Sequence, residues 1–122
     1  PKKTLNIIDD VIEITKNNTG LILNIALNYG GRAEILDALN KLNKLELKLN
    51  EKNLNKCLYN PKLPDPEILI RTGGDYRLSN FLLWQSAYTE LFFVKTLWPD
   101  FKYKMLIDIT NKFFLRERKF GK

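Results

Sequence analysis

The chain has 122 residues, enough for one domain or for part of one. Hydrophobic residues make up 44% of it, so it can bury a core, but no apolar run is long enough to span a bilayer and no signal-peptide pattern opens the chain. The net charge of +6 is compatible with nucleic acid, an anionic membrane surface or a phosphorylated substrate as a partner. There is no histidine, which excludes His-based triads and zinc–histidine sites within the chain.

The single cysteine, Cys57, can form no internal disulfide, so a reducing cytosol is the expected compartment. The chain opens on Pro1 rather than on methionine, and we therefore expect the natural start to lie upstream.

The amino-terminal part predicts a helix, a strand and a second helix. Apolar residues at near-helical spacing predict a helix up to Lys16, which the polar residues 17–20 stop. Residues 21–27 are apolar except for Asn24 and predict a buried strand. After a Gly-Gly turn at residues 28–32, a helix is predicted over residues 33–45. The residues on its apolar face are Ile35, Leu36, Leu39 and Leu42.

The remaining elements continue this alternation. Residues 46–64 are a connecting segment with a short helix at 51–58. Strands are predicted at 68–70 and 91–94, with a helix at 81–87 between them and a final helix after residue 100. The face of that last helix consists of Tyr103, Leu106, Ile107, Thr110, Phe113 and Phe114. This order predicts an α/β fold with a parallel sheet flanked by helices.

A candidate anion site follows the strand at residues 68–70. The strand ends at Arg71 and a Gly-Gly turn, and Arg77 and Ser79 come next. Glycines allow backbone N–H groups to turn toward a ligand, and guanidinium groups offer forked donors to phosphate oxygens. Ser79 is a candidate cap for the next helix, whose amino end favours negative charge. The alternative is a left-handed turn with two surface arginines.

Several longer motifs carry a family resemblance. They are Asn18-Thr19-Gly20, Asn28-Tyr29-Gly30-Gly31-Arg32, Ile70-Arg71-Thr72-Gly73-Gly74, Ser79-Asn80-Phe81-Leu82-Leu83-Trp84-Gln85, Leu97-Trp98-Pro99-Asp100-Phe101 and Arg116-Glu117-Arg118-Lys119-Phe120-Gly121. In this order the chain resembles the cis-prenyltransferases, and among them the bacterial undecaprenyl diphosphate synthases. The resemblance implies condensation of isopentenyl diphosphate with an allylic diphosphate, usually farnesyl diphosphate. Mg²⁺ assists departure of the allylic diphosphate, and the product is undecaprenyl diphosphate for the cell-wall lipid carrier.

The resemblance also implies roles for particular residues. Arg71, Arg77 and Ser79 match positions that hold the isopentenyl diphosphate, and Glu90 matches the magnesium-associated carboxylate. Lys119 stands in Lys119-Phe120-Gly121, where the family often has Arg-x-Gly reaching across a homodimer. Lysine keeps the positive charge at this position but lacks the forked pair of N–H donors that a guanidinium offers.

Further positions carry open interpretations. Asn28, Arg32 and Glu34 are expected to be scaffold near the site, or alternatively a capped turn with an Arg–Glu pair. Leu21 and Leu23 match a strand that lines the product tunnel of the family, and they also suit plain core.

Three aromatic positions complete the comparison with the family pattern. Phe81 and Trp84 are expected to pack. Tyr76 stands where some relatives carry histidine, which puts a proton relay at that position in doubt.

The resemblance implies an incomplete enzyme. The family's amino-terminal half carries an Asp-Gly-Asn motif central to magnesium and catalysis, and this sequence has none. We therefore expect a single partial domain over residues 1–122, the C-terminal half of the cis-prenyltransferase fold, with no catalytic residue of its own and no turnover alone. The expected protein is a cytoplasmic homodimer with peripheral membrane contact through its product.

Two other classes of function compete with this interpretation. The first is a non-catalytic scaffold subunit of a prenyltransferase complex, against which the retained Arg71, Arg77, Ser79 and Glu90 count. The second is a nucleic-acid-binding module, suggested by charge alone. The basic residues follow no aromatic stacking platform and no recognised motif, so no nucleic-acid partner is expected.

Overall fold

The described chain contains three helices, then two parallel strands, then a 3₁₀ turn and a final helix, so the alternation that the sequence predicts is only partly present. The computed structural model describes residues 2–117, with side chains from Thr4 onward. Its elements are α1 (Lys2–Thr15), α2 (Gly31–Lys44), α3 (Glu51–Cys57), β1 (Ile68–Arg71), β2 (Glu90–Phe93), a 3₁₀ turn (Trp98–Asp100) and α4 (Tyr103–Phe114). The helices predicted near residues 5–16, 33–45, 51–58 and 103–114 and the strands at 68–70 and 91–94 are confirmed.

The sheet of the described residues consists of β1 and β2, paired in parallel with Ile68 opposite Glu90 and Arg71 opposite Phe93. Backbone hydrogen bonds continue beyond the strand ends, between the loops that follow β1 and β2. One of them joins the Gly73 N–H to the carbonyl of Thr96 at 2.9 Å. The predicted parallel sheet is therefore confirmed, and the loop that carries the candidate anion site is fixed to its carboxyl edge.

Two small apolar cores hold the elements together. α2 and α3 enclose the first, and β2 and α4 enclose the second. The buried residues of the first core are Ala38, Leu42, Leu54, Cys57 and Leu58, and those of the second are Phe92, Ile109 and Phe113.

The apolar faces predicted for α2 and α4 are partly wrong. The buried stripe of α2 runs through Glu34, Ala38 and Leu42, spaced four residues apart, whereas Leu36 is 62% exposed. In α4, Tyr103 is exposed although it was placed on the buried face. Hydrophobicity alone misplaced the face of α2 because its buried stripe contains the carboxylate of Glu34.

The strand predicted at residues 21–27 is wrong for the structure as described. These residues form no strand, and Leu21 and Leu23, the candidate core residues, are 93% and 77% exposed. A parallel strand exists only through hydrogen bonds to a neighbour. No neighbouring strand reaches this segment within residues 2–117.

The helix predicted at residues 81–87 is also wrong. Residues 83–88 form turns, because Ser79, Asn80 and Leu82 have positive φ angles of 49°, 65° and 43°. Left-handed residues interrupt the hydrogen-bond pattern of a right-handed helix. Ser79 therefore caps no helix, and its hydroxyl oxygen accepts a hydrogen bond from Arg71 instead.

No helix within residues 2–117 combines the length and apolar character needed to cross a membrane.

Candidate functional site: an arginine pocket beside an apolar cavity

The carboxyl end of β1 forms a compact arginine cluster. The guanidinium of Arg71 donates from Nη2 to Oδ2 of Asp75 at 2.9 Å, and Arg77 donates from Nη2 to the same oxygen at 2.6 Å. Nη1 of Arg71 donates to Oγ of Ser79 at 2.6 Å and to the backbone carbonyl of Arg77. The structure therefore brings together Arg71, Arg77 and Ser79, the three residues expected to hold a diphosphate.

These side chains line a pocket of about 310 Å³. Three of the five N–H groups of Arg71 have acceptors among the described residues, which leaves two for a ligand. Two guanidinium groups face one carboxylate, so the cluster keeps one net positive charge. Charge-assisted hydrogen bonds from such fixed arginines are the strong contacts available to phosphate oxygens.

The expected contribution of the Gly-Gly turn to an anion cradle is wrong. Gly73 and Gly74 do adopt left-handed φ angles of 91° and 83°. Their N–H groups, however, donate to the carbonyls of Thr96 and Val94. These two backbone donors join the loop after β1 to the segment after β2. The arginine and serine side chains are therefore the donors that remain for an anion.

Glu90 lies away from this cluster. It begins β2 opposite Ile68, three residues before Arg71 in the register, which is about 10 Å along the strands. Its carboxylate pairs with the guanidinium of Arg116, which also lies 4.2 Å from the ring centroid of Phe92. Within the described range, no group of three metal-ligating side chains occurs. A single ion-paired carboxylate is not a magnesium site by itself, because Mg²⁺ needs further oxygen ligands.

Lys119, the remaining candidate for substrate binding, lies outside the described residues.

A second loop reaches the amino end of α2. The carbonyl of Asn80 accepts the Gly31 N–H at 2.7 Å, and its side-chain Oδ1 accepts the Arg32 N–H at 2.9 Å. A Cβ built on Gly31 would stand 2.9 Å from Cγ of Leu83, so a side chain there would separate the two loops. Asn80 thus caps α2 from a distant part of the sequence, and residues 80–83 meet the Gly30-Gly31 turn.

Glu34 is the most deeply buried polar residue of the site, at 2% exposure. Its carboxylate accepts from the Tyr29 hydroxyl, from the Tyr59 N–H at 3.1 Å and from Nε2 of Gln85 at 3.0 Å. The alternative interpretation, an Arg32–Glu34 pair, is wrong, because these three donors satisfy the carboxylate and Arg32 is exposed. Glu34 thus joins α2 to the segments on both sides of it.

The pKa values of two tyrosines near Glu34 are raised. Burial, followed by the hydrogen bond to Glu34, raises the pKa of the Tyr29 phenol far above its usual value. The hydrogen bond to Asp37, followed by burial, raises the pKa of Tyr59. Both phenols are therefore held protonated in the folded chain.

The stability of the chain should fall as the pH rises above about 10. Tyrosines of the unfolded chain then lose protons that the folded chain retains, which favours unfolding, whereas below this pH the contribution is complete. Urea unfolding between pH 8 and 11 measures this dependence, and Tyr29→Phe should make the fall shallower. Tyr103→Phe, at an exposed ring, is the matched control. An identical slope for Tyr29→Phe and the parent chain would contradict the argument.

A larger cavity of about 550 Å³ adjoins the arginine pocket. Phe81 lines both spaces and lies edge-on to Tyr29, with 5.6 Å between the ring centroids. Leu23 and Leu27 line the cavity, and Glu34 lies on its wall. Leu23 thus faces an apolar space as the tunnel hypothesis expects, whereas Leu21 is not part of the lining described here.

Several site residues were missed from the sequence. Asp75 organises both arginines, Asn80 joins two loops, and Gln85 binds Glu34. Trp84 was assigned to packing, and it packs against the first core while its Nε1 donates to Asn55 at 2.6 Å. An acidic residue between two arginines was a usable signal for Asp75. The others depend on contacts between distant segments.

Comparison with known proteins defines the class. Residues 1–121 match the prenyltransferase family model described as "Putative undecaprenyl diphosphate synthase". The chain belongs to this family. The isoprenyl transferase of Streptococcus pneumoniae strain R6 is 48% identical over 132 residues, covering 99% of this chain and 52% of that protein. That of Thermotoga maritima is 47% identical over 126 residues, covering 99% and 54%.

Solved structures agree on the fold. A "probable undecaprenyl diphosphate synthase" from Campylobacter jejuni superposes with a TM-score of 0.90 at 40% identity, covering 100% of this chain and 58% of that one. Lavandulyl diphosphate synthase from Lavandula x intermedia, in complex with dimethylallyl diphosphate, gives 0.92 at 31% identity, covering 100% and 56%. The chain spans about half the length of the curated relatives it matches, and its α/β architecture is a partial cis-prenyltransferase fold.

Proposed function

We propose that this chain supplies the isopentenyl diphosphate site of a cis-prenyltransferase. The reaction condenses isopentenyl diphosphate with an allylic diphosphate such as farnesyl diphosphate, and its long product is undecaprenyl diphosphate for the cell-wall lipid carrier. The observation that carries the proposal is the pocket in which Arg71, Arg77 and Ser79 converge. Family membership supports the reaction class.

The arginine pocket suits a diphosphate with an apolar tail. Arg71 is fixed by Ser79, by Asp75 and by the carbonyl of Arg77, so little side-chain freedom remains to be lost on binding. The apolar lining beside the arginines, Leu69 and Leu78, offers a surface for the isopentenyl group. Diphosphate oxygens held by the guanidinium groups would orient the double bond of the bound molecule.

In the proposed condensation, a carbon–carbon bond forms between the isopentenyl and allylic units, the allylic diphosphate leaves, and the isopentenyl unit loses a proton. The role of this chain is to hold the acceptor in one orientation, which lowers the entropic part of the barrier. The apolar cavity beyond Phe81 is our candidate for part of the space that receives the growing prenyl chain.

Magnesium chemistry requires more than the residues described here. We propose Glu90 as one carboxylate of a Mg²⁺ site whose other ligands lie outside this chain. When bound, Mg²⁺ assists departure of the allylic diphosphate. The ion pair with Arg116 would have to open before Glu90 could serve. Lys119 remains a proposed contact across a homodimer, and membrane contact through the product remains a proposal for a cytoplasmic enzyme.

Calorimetric titration of isopentenyl diphosphate into the chain tests the proposed site. We expect saturable binding that weakens as salt is added, because the contacts are charged. Isopentenol, which has the same carbon skeleton and no diphosphate, is the matched control and should not bind. A folded chain that binds neither ligand would contradict a preformed acceptor site.

The chain alone should not elongate a prenyl diphosphate. Its residues provide one of two substrate sites, and the chain spans about half of each curated relative. Incubation with farnesyl diphosphate, radiolabelled isopentenyl diphosphate and Mg²⁺ should give no labelled product above background, with an intact isoprenyl transferase as the positive control. Labelled product from the pure chain would overturn this prediction. Absence of turnover also fits the scaffold alternative. Arg71→Ala in a complex with restored activity separates the two, because a scaffold subunit would keep its activity in that variant.

A further inference from the structure

Asp75 bonds both arginines of the candidate site from outside the pocket that they line. Its Oδ2 accepts from Nη2 of Arg71 at 2.9 Å and from Nη2 of Arg77 at 2.6 Å. Arg71, Arg77 and Ser79 belong to the pocket lining, whereas Asp75 is not one of the described residues in that lining. The carboxylate therefore supports the two guanidinium groups from behind and leaves the pocket itself open to a ligand.

The two arginines depend on Asp75 to different degrees. The side chain of Arg71 is 22% exposed and also donates to Oγ of Ser79 and to the carbonyl of Arg77. The side chain of Arg77 is 64% exposed, and within the described chain its guanidinium has Asp75 as its one acceptor. An exposed arginine without an acceptor keeps its rotamer freedom. Asp75 is therefore the group that keeps Arg77 beside Arg71.

The backbone that carries Asp75 is itself fixed. The N–H of Gly74, the preceding residue, donates to the carbonyl of Val94 at 3.0 Å, and the N–H of Gly73 donates to the carbonyl of Thr96. The carboxylate thus projects from a turn that is anchored to the segment after β2. Because both arginines share one oxygen of it, their Nη2 atoms lie within two hydrogen-bond lengths of each other.

We propose that Asp75 is a positioning residue that makes the arginine pocket selective for a diphosphate over a monophosphate. It holds two forked donors side by side, so that each can bind one phosphoryl group of the same ligand. A monophosphate can be held by Arg71 alone, which keeps its contact to Ser79 whether or not Asp75 is charged. The inference rests on the proposed function, because it takes the arginine pocket as the diphosphate site.

Charge counting alone predicts the opposite effect. Removing a carboxylate beside an anion site makes the cluster more positive, which should tighten the binding of every anion. Two observations favour the positioning role. The side chain of Asp75 is 45% exposed, so water screens its repulsion of a ligand. Its loss would free Arg77, and a free arginine must be ordered again when the ligand binds.

Calorimetric titration of inorganic pyrophosphate and of inorganic phosphate into the chain tests the inference. Asp75→Asn keeps the shape of the side chain and removes its charge. We expect the affinity for pyrophosphate to fall roughly tenfold, the factor that corresponds to ordering one released arginine side chain. The affinity for phosphate should stay within about twofold of the parent value, because Arg71 retains its other contacts. The ratio of the two affinities is the readout, since a merely structural role would lower both together.

Two further variants make the result specific. Asp75→Glu restores a carboxylate and should bring the affinity for pyrophosphate back to within about threefold of the parent chain. Asp108→Asn removes the same charge from an exposed position on α4 and should change neither affinity by more than about twofold. Circular dichroism of the variants should match the parent chain, because neither carboxylate is buried.

Several results would overturn the inference. Tighter binding of pyrophosphate by Asp75→Asn would show that the carboxylate opposes the anion, and parallel losses for both ligands would show that it only stabilises the loop. A parent chain that binds no pyrophosphate would also contradict it. Binding of pyrophosphate that depends on Asp75, without binding of isopentenyl diphosphate, would support the inference and contradict only the proposed substrate.

Discussion

Replacing Arg71 by alanine should weaken the binding of isopentenyl diphosphate by roughly 100-fold or more, because a charged hydrogen-bond donor in such a site contributes on the order of 3 kcal/mol. The change removes the ligand contacts and also the group that holds Ser79 and Asp75 in place. Calorimetric titration of the variant measures the loss. Arg71→Lys keeps the charge but loses the forked pair of donors. Its affinity for isopentenyl diphosphate should lie between those of the parent chain and of Arg71→Ala.

Two comparisons separate this effect from a general loss of positive charge. Lys41→Ala removes the same charge from α2 and should leave binding within about twofold at moderate salt, where distant charges are screened. Arg77→Ala should cost less than Arg71→Ala, because Arg77 is more exposed and makes one contact to Asp75. Equal affinities for the parent chain and Arg71→Ala would remove this pocket from the substrate site.

Glu34→Ala should lower the free energy of unfolding by roughly 3 kcal/mol, because it leaves the Tyr59 N–H, the Gln85 amide and the Tyr29 hydroxyl without their acceptor, and unsatisfied buried groups cost about 1–3 kcal/mol each. The value stays below the full sum because Glu34 borders the apolar cavity, through which water can reach the orphaned groups. Urea denaturation followed by circular dichroism provides the measurement.

Matched variants test the origin of this effect. Glu34→Gln keeps the shape and one carbonyl acceptor, so its cost should be about 1 kcal/mol. Asp108→Ala removes an exposed carboxylate from α4 and should stay within about 0.5 kcal/mol of the parent chain. If Glu34→Ala were no more costly than Asp108→Ala, the three hydrogen bonds to Glu34 would not stabilise the fold.

The parts of the fold that could be predicted are those governed by local pattern. α2, α3 and α4 have helical periodicity and stop at polar or turn residues, and β1 and β2 are short apolar runs that pair in parallel. Residues 21–27 carry an equally clear strand pattern and form no strand. Pairing requires a neighbour, and none lies within reach among residues 2–117.

The candidate site shows the same division. The meeting of Arg71, Arg77 and Ser79 followed from their closeness in sequence, around one turn. A pair between Glu34 and Arg32 stayed open as an alternative, because nothing local shows that Tyr29, Tyr59 and Gln85 approach Glu34 from separate segments. Residues 81–87 were predicted as a helix because this apolar sequence has no glycine or proline. In the structure, left-handed residues interrupt it, and one of them, Asn80, is held by contacts to α2.

Asn80 has a consequence for how this family can vary. Its neighbour Ser79 binds Arg71, while Asn80 itself holds the amino end of α2 through its carbonyl and its side chain. Asn80 therefore holds the amino end of α2 against the turn at residues 79–82, and this contact does not depend on the number of residues between the two along the chain. Insertions and deletions in the exposed connection after α2 can accumulate without moving the arginine pocket.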